Sequence, residues 1–203
     1  MDVILQNIGK RYANKEWIFK DLNYHFCSGE RIALTGNNGS GKSTLLKTIG
    51  GMVLPSKGEI AYKLDENTIA ADQLLHHIAF ASPYLELIED FTLLEMVTFH
   101  FKFKKSRNQL SSEDLIQKMY LEGNENKHIK NFSSGMKQRL KLGLCFYTEA
   151  SLILLDEPCS NLDRRGYDWY HEQIENLPKA PLVIIASNQE EEYQFCKEII
   201  RLG

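Results

Sequence analysis

Apolar and polar residues alternate loosely at the start of the chain: Val3, Leu5 and Ile8, then Trp17, Phe19, Leu22, Tyr24 and Phe26. That alternation predicts two or three antiparallel strands, broken by the polar turn Ala13-Asn14-Lys15-Glu16. The pattern then condenses. Arg31–Thr35 is a short run bounded by Gly29 and Gly36, as expected of a central strand. Leu45, Leu46 and Ile49 have helical spacing, and Gly50-Gly51 stops that helix. Gly58–Leu64 returns as a strand.

From about residue 92 the texture changes. Thr92 followed by Glu95 is a capping-box signature, predicting a helix through Phe101. Phe99, Phe101 and Phe103 also fit a period of two, so a strand competes there. Phe91, Phe99, Phe101 and Phe103 read as the core of a small helical lobe or as the lining of a groove. Ser111 and Asp114 mark another helix start, and residues 123–130 read as a polar loop. Residues 134–147 predict a long helix with Met136, Leu140, Leu144 and Tyr147 on one face. Leu152-Ile153-Leu154-Leu155 is wholly apolar, as in a parallel strand covered on both sides. A helix around 164–176 and the strand Leu182–Ala186 follow. Strand and helix in alternation predict an α/β fold with a doubly wound, mostly parallel sheet.

Composition adds bounds. The chain has 203 residues, with 43% hydrophobic and 25% charged, enough for one α/β domain with an inserted lobe. Its 24 basic and 27 acidic residues give a net charge of −3, against a dedicated nucleic-acid binder. No stretch nears the ~20 apolar residues that span a bilayer. The opening MDVILQNIGKRY lacks the charge order of a signal peptide, so a cytosolic chain is expected, reaching a membrane only through a partner. Cys27, Cys145, Cys159 and Cys196 are scattered, and none of the six histidines has ligand spacing, so reduced thiols without a metal are expected. Glu190-Glu191-Glu192 reads as a helix-dipole partner, and Lys102, Lys104, Lys105 and Arg107 as a solvated helix end.

Gly36-Asn37-Asn38-Gly39-Ser40-Gly41-Lys42-Ser43-Thr44 changes the picture most. It satisfies G-x-x-x-x-G-K-S/T between a strand and a helix, the order the mechanism needs. Glycines let backbone N–H groups curl around phosphate oxygens, and the helix aims its positive end at the same charge. Lys42 reaches the β- and γ-phosphates, and Ser43 offers a hydroxyl to Mg²⁺. Binding is not hydrolysis, however. Leu152–Leu155 runs into Asp156-Glu157-Pro158, where Asp156 is placed to orient the Mg²⁺ shell and Glu157 to polarise a water as general base. An exposed acidic loop is the bland alternative.

Phe132-Ser133-Ser134-Gly135-Met136-Lys137-Gln138-Arg139 lies between those two sites. Here the chain resembles the ATP-binding-cassette (ABC) ATPases, whose signature is usually written L-S-G-G-Q. The resemblance extends to Asp156-Glu157-Pro158 and to the D-loop-like Ser160-Asn161-Leu162-Asp163. It implies a single cassette over residues 1–203: a nucleotide-binding core in 1–83 and 132–203, with an N-terminal antiparallel β subdomain, and a helical subdomain in 84–131. It implies ATP and Mg²⁺ as ligands, with Tyr12 stacking on adenine. It also implies a head-to-tail dimer with itself or a homologous subunit, in which Ser133, Ser134 and Gly135 close over the partner's ATP while Ser160 and Asp163 face the partner. A transmembrane permease would convert hydrolysis into transport on the cytoplasmic face of the membrane. Taken by themselves, Ser133–Gly135 are also a plain N-capped helix start.

Ser134 and Met136 depart mildly from the signature. Two departures are larger. The glutamine the family carries before its helical lobe is missing near Pro83, and Asn188 stands where the family has a histidine on the γ-phosphate. An amide keeps one hydrogen bond but no imidazolium charge, so slow turnover is expected. The alternative reading is therefore an ATP-gated dimerising module with little hydrolysis. A nucleotide kinase has no use for Phe132–Arg139, and a DNA-repair or chromosome ATPase needs a long coiled coil for which roughly 90 inserted residues leave no room. The chain ends just after its expected last strand, so no appended regulatory domain is expected.

Overall fold

A computed structural model describes residues 1–13, 16–70 and 72–203. In chain order the elements are β1 (Asp2–Lys10), β2 (Phe19–Phe26), β3 (Arg31–Thr35), α1 (Lys42–Ile49), β4 (Lys57–Leu64), β5 (Asn67–Thr68), α2 (Leu74–His77) and β6 (Ile78–Ala81). There follow α3 (Leu93–Phe103), α4 (Ser112–Lys118), α5 (Ser134–Phe146), β7 (Leu152–Asp156), α6 (Arg164–Glu175), β8 (Leu182–Ala186), α7 (Glu190–Tyr193) and β9 (Glu198–Arg201). They fall into two compact units. One comprises Met1–Phe80, Ala150–Glu157 and Pro178–Gly203; the other comprises Ala81–Glu149 and Pro158–Leu177.

The first unit holds two sheets. The antiparallel sheet has the order β2-β1-β4-β5, and the second sheet the order β6-β7-β8-β3-β9. In the latter, β3 pairs with β8 and β9, and β7 with β8, all parallel. Every residue of β7 and β8 is buried, which is why their sequences are continuous apolar runs rather than alternations. In β1 the alternation slips between Leu5 and Ile8, and the register with β2 shifts at the same place. Asn7 sits there at φ 50°; its backbone N–H donates to Asn23 Oδ1 and its Oδ1 accepts from Asn23 Nδ2, both at 2.9 Å. This bulge returns Ile8 to the same core as Val3 and Leu5. The predicted turn at Ala13–Glu16 includes Asn14 and Lys15, which lie outside the described residues.

The second unit is helical. Leu93, Val97, Leu115, Ile116, Met119, Leu140 and Leu144 form its core. The predicted capping box of Thr92 with Glu95 is present on α3, and the predicted helix start at Ser111 and Asp114 is a second capping box, on α4. The period-of-two alternative at Phe99–Phe103 is overturned, because α3 continues to Phe103. Nor are those rings all core: Phe91 and Phe101 pack on it, whereas Phe103 is 69% exposed. Phe99 stands edge-on to Phe91 and to Phe103 on the outer face. The one-sided amphipathic reading of α5 is also too narrow, since Gln138 and every residue from Leu140 to Phe146 are buried. Met119 fills the notch at Gly143, where a Cβ would meet its Cγ at 2.4 Å. Phe146 meets Trp169 and Tyr170 of α6. Lys104 and Arg107 are not a solvated helix end either. Both are half-buried, burial lowers both pKa values, and Arg107 Nη2 donates to Thr148 O at 3.2 Å.

Candidate functional site

The loop after β3 is built around glycines that other residues would break. Gly36, Gly39 and Gly41 have φ of 140°, 84° and 96°. A Cβ on Gly36 would stand 2.2 Å from Leu202 O, and one on Gly41 2.4 Å from Ile18 Cγ2. The loop therefore closes against β9's end and the β2 entry with no room for side chains. It delivers the chain into α1, whose start carries no side-chain cap, so the first N–H groups of the helix stay open to an anion. Lys42, only 6% exposed, folds back over the loop and donates from Nζ to Gly36 O at 2.7 Å and Asn37 O at 3.2 Å. The Ser40 hydroxyl is buried without a hydrogen-bond partner. Together these groups fit a polyphosphate: an N–H cradle, a cation above it and an unsatisfied hydroxyl within it.

Ser43 Oγ donates to Asp156 Oδ1 at 2.8 Å. Asp156 ends the buried β7 and is itself 1% exposed. A hydroxyl and a carboxylate side by side are the hard oxygen donors that Mg²⁺ accepts, leaving most of its shell to water and phosphate. Glu157 follows at φ 42°, a left-handed position for a non-glycine residue, pinned by its N–H to Ala186 O at 2.9 Å. Backbone strain of this kind costs on the order of 1–3 kcal/mol and holds the side chain at the strand's mouth. After β8, Asn188 Nδ2 donates to Asn38 Oδ1 at 2.9 Å, which ties the residue in the histidine's place to the loop. Tyr12 is 51% exposed, with Lys10 Nζ 4.9 Å from its ring centre.

In the helical unit, Ser133 caps α5 by accepting from Met136 N at 3.2 Å, and Ser134 lies exposed beside it. A Cβ on Gly135 would come within 3.0 Å of Asn161 O, so the signature turn and the Ser160–Asp163 turn pack directly together. Two side chains that the sequence reading left without a role hold this pair. Gln138, buried, donates from Nε2 to Pro158 O at 2.7 Å. Arg139 pairs with Asp163 at 3.7 Å and donates to Tyr120 O at 3.3 Å. Asp163 also caps α6 through Gly166 N at 2.8 Å. A glutamine inside a helix that is otherwise apolar on that side was the available signal.

Where the family glutamine is missing, Lys141 Nζ donates to Pro83 O instead. Burial, then repulsion from Lys137, lowers the Lys141 pKa. Lys137 is paired with Glu89. Between them opens a groove of about 440 Å³, lined by Pro83, Tyr84, Leu85, Leu87, Glu89 and Lys141 among others.

Residues 19–160 match the family model described as ABC transporter. The chain is 28% identical over 206 residues to the sulfate/thiosulfate import ATP-binding protein CysA of Synechocystis, covering 98% of this chain and 58% of that protein. It is 29% identical to the uncharacterized ABC transporter ATP-binding protein YybJ of Bacillus subtilis, covering 92% of this chain and 85% of that one. Thus it spans only somewhat more than half the length of several curated relatives. The dimeric post-hydrolysis structure of the ATP-binding cassette MJ0796 bound to ADP and Pi superposes with a TM-score of 0.84 at 26% identity, covering 98% of this chain and 94% of that chain. With its phosphate loop, its Asp-Glu pair and a family match over most of its length, the chain belongs to the ABC transporter family.

Proposed function

We propose that this chain is the ATP-hydrolysing subunit of an ABC transporter, working through a separate transmembrane permease at the cytoplasmic face of the membrane. The observation that carries the reading is the 2.8 Å hydrogen bond from Ser43 to Asp156 beneath a loop already closed by Lys42. Gly36–Thr44 cradle the α- and β-phosphates through their N–H groups, and Lys42 turns from the loop carbonyls to the β- and γ-phosphates. Ser43 and Asp156 would hold Mg²⁺, which would supply charge neutralisation on the phosphate oxygens. Glu157 takes a proton from the attacking water, and Asn188 donates one amide hydrogen bond to the γ-phosphate. Tyr12 stacks on adenine.

A second copy, or a homologous subunit, completes the site by presenting its Ser133, Ser134 and Gly135 to the triphosphate, with Ser160 and Asp163 at the dimer face. The MJ0796 cassette is dimeric in its ADP-bound structure, and that supports the arrangement. No helix among the described residues is long and apolar enough to cross a membrane, so passage of cargo falls to the permease. The deciding experiment uses Glu157→Gln protein with excess Mg·ATP. The proposal expects a stable dimer and abolished turnover; a strictly monomeric protein, alone and beside its permease, overturns it.

One pair of observations favours a second reading, an ATP-gated switch that seldom hydrolyses. Asn188 already commits one of its two amide hydrogens to Asn38, and Lys141 rather than a glutamine bonds to the Pro83 turn. Single-turnover hydrolysis on permease-bound protein separates the two.

A further inference from the structure

Register, not sequence proximity, brings three soft and hard donors together on the antiparallel sheet. Val3 lies opposite Phe26 and Ile4 opposite His25. One step further along the ladder, Asp2 therefore faces Cys27, just beyond the end of β2. His25 and Cys27 are two residues apart, and an extended chain returns to the same face at that interval. One ligating atom from each of Asp2, His25 and Cys27 lies within 4.8 Å of the others. Of these, Asp2 Oδ2 and His25 Nε2 stand 3.3 Å apart.

Those spacings suit a small tetrahedral ion. With bonds of about 2.0–2.3 Å, ligand atoms around zinc stand roughly 3.3–3.8 Å from each other, so no separation needs to close by more than about 1.5 Å. The carboxylate is already oriented, because Asp2 Oδ1 accepts from Ser28 N at 2.8 Å, leaving Oδ2 toward the ring. Such outer contacts are what hold ligands in place before a metal arrives. Cys27 is fixed likewise, its N–H donating to Glu30 Oε2 at 2.7 Å. Burial first, then the negative charges of Glu30, Asp2 and Glu198, raise the thiol pKa. The Met1 ammonium, bonded to Ser28 Oγ, and Lys63, opposite Asp2 on β4, are the nearby cations. Asp2 and Cys27 are half-buried and His25 is exposed, so an ion can enter from solvent.

We propose that Asp2 Oδ2, His25 Nε2 and Cys27 Sγ form a zinc site, with water as the fourth ligand, that clips the start of β1 to the end of β2. Thiolate, imidazole and carboxylate together select zinc over magnesium. On binding, the Cys27 S–H bond breaks and its proton leaves to solvent. The imidazole binds as its Nδ1–H tautomer: the Nε2 proton that faces Asp2 Oδ2 moves to Nδ1, and the Nε2 lone pair left behind binds the metal. One proton is released per ion, and nothing is oxidised.

The test uses the full chain, chelator-stripped and free of nucleotide, titrated with Co²⁺ as the spectroscopic probe and then with Zn²⁺. Expected are one equivalent bound, a thiolate-to-cobalt charge-transfer band, tetrahedral d–d bands, and displacement by Zn²⁺. Cys27→Ser should lose the charge-transfer band. Asp2→Asn and His25→Gln should weaken binding by roughly tenfold or more, and Cys196→Ser should change nothing. Zn²⁺, but not Mg²⁺, should also slow alkylation of Cys27 in the unsubstituted protein, read by peptide mass spectrometry, which needs no variant to fold. A cobalt spectrum without the thiolate band, unchanged binding by His25→Gln, or unprotected Cys27 overturns the site.

Discussion

Ser43 Oγ and Asp156 Oδ1 stand 2.8 Å apart although 113 residues separate them in the chain. The parallel pairing of β7 with β8 and of β8 with β3 sets the carboxyl ends of β7 and β3 on one edge, where an acid and a hydroxyl can share an ion. Ser43→Ala should therefore weaken ATP binding in the presence of Mg²⁺ by about tenfold, close to 1.4 kcal/mol. Binding in chelator should be unaffected, because the glycine cradle and Lys42 remain. A fluorescent nucleotide titrated with and without Mg²⁺ reads both numbers.

Glu157→Gln keeps the strained φ of 42° and the N–H bond to Ala186 but removes the proposed base. Turnover should fall roughly 10²- to 10⁴-fold with little change in ATP affinity. Steady-state hydrolysis and equilibrium binding, measured side by side, check the split.

Asn188→His restores a group that can carry charge to the γ-phosphate. Turnover should rise about tenfold, or about 1.4 kcal/mol of barrier. If the rate is unchanged, the amide bonded to Asn38 is not what limits hydrolysis.

Gly41→Ala adds a Cβ 2.4 Å from Ile18 Cγ2 at a φ of 96°. The combined clash and strain should cost about 2–4 kcal/mol and abolish nucleotide binding. Denaturant unfolding and nucleotide titration report the two effects separately.

His100 is a pH-sensitive element of the helical unit. Burial, then repulsion from Lys104, pushes its pKa down to about 4, and Nε2 lies 2.9 Å from Thr148 Oγ1. The Thr148 hydroxyl donates to Leu144 O at 2.7 Å, so it accepts from a neutral ring protonated on Nε2. The unfolded chain takes up the proton near 6.5 and the folded chain only near 4. This stability is therefore complete above about pH 6.5 and lost as pH falls toward 4. Between pH 7 and pH 5 the loss should be about 2 kcal/mol, and His100→Gln should remove that slope. Denaturation midpoints at the two pH values decide it.

Short-range rules carried far. The glycine loop, the apolar runs at Leu152–Leu155 and Leu182–Ala186, and the capping boxes at Thr92 and Ser111 each encode their structure within a few residues. The misreadings lie where burial comes from elsewhere in the chain. The burial of Leu140–Phe146 in α5 on every side and the partial withdrawal of Arg107 from solvent both depend on neighbours that sequence spacing does not name. So does the meeting of Asp2, His25 and Cys27, which the expectation of scattered thiols and unpaired histidines did not anticipate.

By itself, the sequence determined that a triphosphate loop follows a buried strand, that an acid pair ends another, and that a signature-like turn opens a helix. Those are local facts, set by backbone freedom, side-chain volume and hydrogen-bonding capacity over a few residues. Only the tertiary structure decided that Ser43 meets Asp156, that Asn188 is bonded to the loop, and that Gln138 supports the turn at Pro158. Each of these depends on strand order, ladder register or helix packing, and a one-residue slip in any of them would send the side chain elsewhere.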